Sequence, residues 1–540
     1  MSAGGVIYLD YAATTPVDPR VAACMAECLG VDGDFGNPAS THAFGRAARA
    51  RVEAARVQVA ALIGAPAPDL VFTSGATEAN NLAILGTVRG APAARAARVR
   101  HVITSRTEHK AVLDPCRQLQ REGCEVSYLP PDADGRVRPE QLQGALRPET
   151  VLVSLMHANN EIGTIQDIAA FGALCRAHGA ALHVDAAQSA GKLPIDVEAM
   201  GVDLLALTAH KIYGPKGVGA LYVRGQRRAA LQPLIYGGGH ERGLRSGTLA
   251  VHQIVGFGAA CALAAAGMSA ESVRLAALRR QLMDGLADLA GVLPNSPAAG
   301  SLPGILNVSF RGIEGESLLF GRTELALASG SACNSDSDEP SYVLRAVGRD
   351  REEAQSALRF SFGRHTTSAD IARAIGAVWR EVTRLRAVAG DVPPCRTGPS
   401  GEAGPSGGVA PSGEAGQPRQ GTWVRFLLEV AGGRISAARH QAYGCPYTLA
   451  ACEWLCVQLR GRALGDPGLG GAEDWAGALD IPLDRLTRLL VVEDALQAAL
   501  EEARRRAGWP ADGGPDGGRD GGPDGGRDGG PDGGWGVGVQ

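Results

Sequence analysis

Three short stretches of the chain carry residue types suited to covalent chemistry. Lys211 lies in LTAHKIYGPKGVGALYV (207–223), after a strand-like run and His210 and before a Gly-rich segment that lets backbone approach closely. A lone His-Lys pair at a strand end is ordinarily a surface feature. This one has company. HVDAAQS (183–189) sets Asp185 and Gln188 just past another strand end, where open α/β sheets bind ligands. FTSGATEANNLAI (72–84) reads as strand, small-residue turn and helix, whose first backbone N–H groups can hold a phosphate. An amine for a Schiff base, an acid for a pyridine nitrogen and a phosphate cup are together what pyridoxal phosphate requires. The SGAT turn by itself would suit a nucleotide or sugar phosphate, but no Walker pattern or GxGxxG with a ribose-binding acid accompanies it.

A fourth stretch, ASGSACNSDSDEPS (328–341), holds Cys333 among small and polar residues. It reads as a loop, since nothing in it favours a strand or a helix. Such a thiol is either an idle surface cysteine or a nucleophile that has to swing. Cys24, Cys28, Cys116, Cys124, Cys175 and Cys261 fall within helical or strand patterns and read as buried small hydrophobes.

The elements that must position these groups divide the 540 residues into segments of different texture. Residues 1–388 alternate helical patterns with apolar runs such as HVITS, TVLVSLMH, AALHVDAA and DLLALTAH, which predicts an α/β domain around a largely parallel, buried sheet. Residues 389–420 are Gly/Pro/Ser-rich, nearly repeat GPSGEAG as APSGEAG, and read as a flexible linker. Residues 421–507 predict a small α+β domain: the hairpin RFLLEV-AGG-RISAARHQAYG, then two helices in CPYTLAACEWLCVQLRGR and RLTRLLVVEDALQAALEEARRRAG. Residues 508–540 repeat GGPDGGRD and read as disordered. That tail carries six Asp and two Arg, which accounts for the whole chain's net charge of −4. A folded part so near neutrality argues against nucleic-acid binding. The N-terminus lacks the basic and apolar regions of a signal peptide, and GFGAACALAAAGM (256–268) is too short to span a bilayer. No membrane association is therefore expected. Eleven cysteines without paired spacing fit reduced thiols and a cytoplasmic location.

LDYAATTPVDPRV, FGNPASTHAFG, VFTSGATEANNLAI, TSRTEHKAVLDPCRQL, MHANNEIGTIQDI, HVDAAQSAGKLPIDV, HKIYGPKGVGALYVR, GGGHERGLRSGT and SGSACNSDSDEPSYVLRAVG follow one another through the first domain. In this order they resemble the class V aminotransferase-fold cysteine desulfurases of the NifS/IscS type. The resemblance implies the fold of pyridoxal-phosphate-dependent transferases, a large cofactor domain plus a small α/β domain built from both ends of the region, and a homodimer. It implies Lys211 as the Schiff-base lysine, Asp185 as partner of the pyridine nitrogen and His109 stacked on the ring and moving protons. It further implies Gln188 at the ring hydroxyl and Asn160 near ring and substrate. Ala76, Thr77, Thr208, Ala209 and His210 would surround the phosphate, and Thr248 would reach the phosphate of the neighbouring subunit. Arg359 would clamp the substrate carboxylate, which suits a bidentate guanidinium. TAH (208–210) stands where the family usually has SGH, which keeps the hydroxyl but replaces a glycine. Cys333 would attack the sulfur of L-cysteine and keep it as a persulfide while alanine is released. The alternative is a selenocysteine lyase or related lyase.

The C-terminal domain resembles iron–sulfur scaffolds of the IscU/NifU N-terminal type, through GGRISAARHQAYGCPYTLAACEWLCVQLRGRAL and VVEDALQAAL. Of the family's ligand positions only Cys445 is retained. Gln420, Thr422 and the pair Thr487-Arg488 stand where the others would be, and one thiolate cannot hold a cluster. Cys445 before a helix is expected to accept sulfur, with iron–sulfur scaffolds or other sulfur acceptors as partners. A transient iron–sulfur cluster, with Cys333 as a shared metal ligand, is a further expectation. A metal site from Cys445, Cys452 and Cys456 stands beside the reading of Cys452 and Cys456 as core residues, and a pure docking role for the domain is its rival.

Overall fold

The computed structural model of the protein describes residues 5–91, 99–313, 317–318, 324–329, 340–390, 410–417, 422–444, 446–465, 468–482 and 485–508. After a short strand β1 (Ile7–Tyr8), the apolar runs become a seven-stranded sheet: β2 (Leu70–Thr73), β3 (His101–Ser105), β4 (Glu125–Leu129), β5 (Thr150–Met156), β6 (Ala181–Asp185), β7 (Leu204–Thr208) and β8 (Gly219–Val223). Their order is β2-β8-β7-β6-β5-β3-β4, and β8 runs antiparallel to both its neighbours. Every residue of the six strands other than β4 is buried, because helices cover both faces. Alternate side chains part to the two faces. Phe72, Ile103, Val153, Leu182 and Leu205 pack with helices α1 (Pro19–Ala26) and α2 (Ala43–Leu62). Val71, Val102, Leu152, Ala181 and Leu204 pack with helix α3 (Ala76–Gly90) and the helix Lys110–Arg121.

The helix Val251–Leu286 joins the two domains. Its 36 residues far exceed the apolar run 256–268, and by length and composition they could cross a membrane. Packing explains that apolar character: Val251, Ile254, Phe257, Ala260 and Cys261 enter the core beside α2, whereas Leu275, Leu278, Leu282 and Leu286 enter the core of the small domain. There the antiparallel strands β9 (Val292–Pro294), β10 (Ile305–Phe310), β12 (Ala328–Ser329) and β13 (Ala357–Ser361) form a sheet in the order β12-β13-β10-β9. β1 pairs in parallel with β11 (Leu325–Ala326), so both ends of the region build the small domain, as expected.

The C-terminal segment folds around its own core. β15 (Thr422–Ala431) and β16 (Arg434–Tyr443) form the expected hairpin about Gly432-Gly433. The helices Pro446–Leu459 and Leu486–Arg506 match the sequence patterns, and Ala472–Ala478 adds a third, whose Trp475 is 1% exposed. Two features depart from the expected flexible linker over 389–420. The helix Ser368–Gly390 runs to its start, and β14 (Ser412–Gln417) pairs antiparallel with β15 as an edge strand. Glycine makes that strand possible, since a Cβ on Gly413 would collide with the Ala498–Ala499 backbone of the last helix. The domain also rests on its neighbour: Ser317 Oγ donates to the Gly444 carbonyl at 2.6 Å, and the helix Ser368–Gly390 packs against β16. The remaining linker residues 391–409 and 418–420 and the Asp/Gly repeat 509–540 lie outside the described residues.

Candidate active site

The carboxyl ends of β2, β3, β5, β6 and β7 meet at one edge of the sheet, around a cavity of about 560 Å³. Ala76, Thr77, His109, Asn160, Asp185, Gln188, Thr208, His210, Lys211 and Arg359 all line it. Apart from Arg359, which comes from the small domain, these residues converge because each lies at or just beyond the carboxyl end of a strand of one sheet.

Asp185 ends β6 and is 6% exposed. Its Oδ2 accepts from Asn80 Nδ2 at 2.8 Å and its Oδ1 from the Ala187 N–H at 2.9 Å, so the carboxylate is held in a fixed orientation. Lys211 closes a 3₁₀ turn after β7. Thr15 clamps that turn: its Oγ1 donates to the His210 carbonyl at 2.9 Å and accepts from the Tyr213 N–H at 2.8 Å. Tyr213 itself adopts φ 66°, unusual for a bulky residue, with the Arg364 guanidinium 4.0 Å above its ring. Such local strain persists only where surrounding contacts enforce it, and here it sits two residues from Lys211.

The phosphate-sized end of the cavity lies where α3 begins. Ser74–Thr77 line it, and α3 presents its first N–H groups there. The approach to β8 is so close that a Cβ on Gly219 would lie 2.7 Å from Gly75 Cα. Glu78 fixes the turn by accepting from the Ser74 N–H at 2.7 Å and pairing with Arg245 at 2.8 Å. Ala209 departs from expectation. It is wholly buried and its N–H donates to the Val218 carbonyl at 3.2 Å, so it packs the core and does not line the cavity.

Arg359, 4% exposed on β13, reaches across from the small domain. Its Nη1 donates to the Asn160 carbonyl at 3.0 Å and its Nη2 to Asp10 Oδ1 at 2.8 Å. Its Nε has no hydrogen-bond partner, and neither do the buried Asn80 Oδ1 and Asn160 Oδ1. Unsatisfied polar atoms lining a roomy cavity are what a polar ligand would complete.

Burial sets the protonation of this site. His109 caps the helix Lys110–Arg121, and its Nδ1 accepts from the Ala111 N–H at 3.1 Å, which leaves the proton of the neutral ring on Nε2. Burial lowers its pKa and the nearby Lys211 adds to this, while Asp185 pulls the other way. His210 is held down to about 4 by burial and the charges of Lys211 and Lys216, and so stays neutral. Glu108, beside His109, is wholly buried and lifted well above the carboxylate range by desolvation. Glu161, beside Asn160, rises to about 7 through burial, opposed by the Ser341 hydroxyl and Arg359.

Thr248 is exposed and does not line this cavity. Cys333 and Cys445 lie outside the described residues. Cys28, Cys116, Cys175 and Cys261 are buried as expected, whereas Cys24 in α1 and Cys124 in the loop before β4 sit partly exposed. Cys452 and Cys456 are buried in the C-terminal core, with Cys456 Sγ 3.5 Å from His440 Nδ1. Burial raises the Cys456 thiol to about 11 and Cys452 well above its usual value, which keeps both protonated. No cluster of three or more His, Cys, Asp or Glu able to hold a metal occurs among the described residues. Asp10, Asn80, Glu108 and Glu161 were missing from the sequence reading. Asn80 left a trace, as a polar residue on the apolar face of α3.

A buried acid and a lysine at strand ends, below a helix N-terminus, define a pyridoxal-phosphate-dependent enzyme of the α/β transferase type. The "Aminotransferase class-V" family profile matches residues 7–374. "Cysteine desulfurase IscS" of Aeromonas hydrophila is 56% identical over 381 residues, which cover 70% of this chain and 93% of the relative. The protein of the same name from Tolumonas auensis matches equally well. Among solved structures, a "NIFS-LIKE PROTEIN" superposes with TM-score 0.64 at 36% identity, over 70% of this chain and 100% of its own. "SspA in complex with cysteine" gives 0.59 at 38% identity, over 67% and 99%. The chain belongs to the class-V aminotransferase family, and within it to the cysteine desulfurases.

Proposed function

We propose that residues 1–388 convert L-cysteine to alanine and hand the sulfur, through a persulfide on Cys333, to acceptors that include the chain's own C-terminal domain. The observation that carries this is the convergence of Lys211, Asp185, His109, Gln188, Asn160 and Arg359 on one cavity. The residues fit pyridoxal phosphate, with Lys211 to bind it covalently, Asp185 its ring nitrogen, and Ala76, Thr77, Thr208 and His210 its phosphate. Bound there, the cofactor supplies an electron sink that weakens bonds near the substrate's α-carbon.

Arg359 binds the substrate carboxylate. His109 Nε2 delivers or removes a proton beside the Lys211 amine. Cys333 then takes the sulfur: its thiolate forms an S–S bond as the substrate's carbon–sulfur bond breaks, and the freed carbon gains a proton to become the alanine methyl group. Thr248 acts on a second copy's phosphate, which requires a homodimer, and the whole operates in the cytoplasm. Measuring alanine released from cysteine, against selenocysteine as competing substrate, tests the reading. Preference for selenocysteine with no persulfide would favour a lyase.

Arg359→Lys should weaken cysteine binding by about 2 kcal/mol, roughly 30-fold in KM, the scale of a charged hydrogen bond lost when a planar fork becomes a point charge. An unchanged KM would move the carboxylate site to another arginine.

The C-terminal domain is a degenerate scaffold that receives sulfur on Cys445. Its docked hydrogen bond from Ser317 to Gly444, the residue before Cys445, supports proximity to the desulfurase. The same contact also favours a docking role, and Cys445→Ser separates the two by altering sulfur delivery or leaving it unchanged. Iron would lack most of its thiolates there, so anaerobic reconstitution of the full chain should give no stable [2Fe–2S] spectrum. A stable stoichiometric cluster would bring back Cys452 and Cys456 as ligands, or Cys333 as a shared one.

A further inference from the structure

Behind the cofactor cavity lies a second, smaller one, lined by Lys192, Tyr213, Glu271 and Arg364, and Lys211 lines both. Lys192 stands one turn after Gln188, and its Nζ donates to Gln188 Oε1 at 3.0 Å. Gln188 Nε2 donates to the Ala12 carbonyl at 2.9 Å. With its oxygen held on Lys192 and one N–H on Ala12, the amide keeps the second N–H of Nε2 as its free donor. Gln188 lines the cofactor cavity, so that donor is what it can offer there. Rotating the amide by half a turn would set its oxygen against Ala12's carbonyl, a repulsive contact, and its NH₂ against Lys192, repulsive when that group is an ammonium.

We propose that Lys192 is a positioning residue of the desulfurase reaction, which locks the Gln188 amide so that it presents an N–H, and never a carbonyl, to the cofactor. The inference rests on the reading of Gln188 as partner of the ring hydroxyl. With the cofactor bound on Lys211, that oxygen would also be the acceptor for the Schiff-base proton. A well-aimed Gln188 donor competes for it and lets the Schiff base lose its proton at lower pH. Lys192 donates from Nζ in either protonation state, although burial and the Lys211 charge bring its pKa down to about 7. Glu271 opposes that fall and Arg359 adds to it, so the charged groups facing Lys192 are Lys211, Arg359 and Glu271.

The test is a pH titration of the visible absorption of the full-length, cofactor-loaded chain, which reads the Schiff-base proton independently of turnover. Lys192→Met should raise the midpoint by about one pH unit, a tenfold change in proton affinity. Lys192→Arg keeps a donor and should stay near the native midpoint. Gln188→Leu should raise the midpoint by itself, and Lys192→Met added to it should shift it no further. A Lys192→Met protein that binds cofactor with the native midpoint overturns the proposal and leaves the cofactor site standing. A full further shift in the Gln188→Leu background also overturns it, because Lys192 would then act by its charge alone. A native chain with no visible band at any pH overturns both this inference and the reading beneath it.

Discussion

Lys211→Ala yields a protein without the imine band of the native chain and with alanine release from cysteine reduced by at least about a thousandfold, the scale of losing a covalent and proton-transferring group together. No neighbour can stand in for it. Lys192 is the other lysine near Lys211, but its Nζ is engaged with Gln188 and it lines the cavity behind. Lys216 lines the outer cavity but follows the turn by five residues. The phosphate loop at Ser74–Thr77 and the Asp185–Asn80 pair are untouched by the substitution. Cofactor should therefore still bind, reversibly and with the absorption of the free aldehyde. Absorption spectra and an alanine assay on the same preparation check this. A variant that stays yellow through dialysis and turns over would place the Schiff base on another lysine.

Cys333→Ser should separate substrate binding from sulfur removal. Arg359, His109 and Lys211 are unchanged, so cysteine should still perturb the visible spectrum at native concentrations. Alanine release should fall to less than roughly a thousandth, because a serine hydroxyl is neither ionised at neutral pH nor able to take up sulfur as a persulfide. The thiols of Cys24, Cys28, Cys116, Cys124, Cys175 and Cys261 do not line the cavity and so cannot compensate. Cys116 and Cys175 are raised to about 12 by burial, and Cys261 is fully buried as well. Near-native alanine production by this variant would move the nucleophile elsewhere.

Much of this site was legible because its chemistry follows strand ends. DLLALTAH and AALHVDAA announce β7 and β6 by their continuous apolar runs, and Lys211 and Asp185 are the first reactive residues beyond each. What could not be read are the residues that hold these in place. Asp10 meets Arg359 across 349 positions of sequence, and only folding of both ends into the small domain joins them. Asn80 and Lys192 orient Asp185 and Gln188 by single hydrogen bonds that leave no periodic signal. β14 escaped for another reason. SGEAGQ has no strand propensity, and its place is set by the small residues Ala495, Ala498 and Ala499 of a helix some eighty residues later, against which only glycine fits. The length of the helix Val251–Leu286 was hidden as well, since its two halves face different cores and no single apolar stripe runs through it.

The central claim is that sulfur leaves cysteine for Cys333 and from there reaches Cys445. Mass spectrometry of peptides from the full chain, quenched during turnover with cysteine and alkylated without reduction, reads that route directly. One added sulfur is expected on the Cys333 peptide, with a second modified population on the Cys445 peptide and loss of both in Cys333→Ser. Sulfur on Cys445 in the Cys333→Ser protein, or a native chain that turns over with Cys333 unmodified, would contradict it.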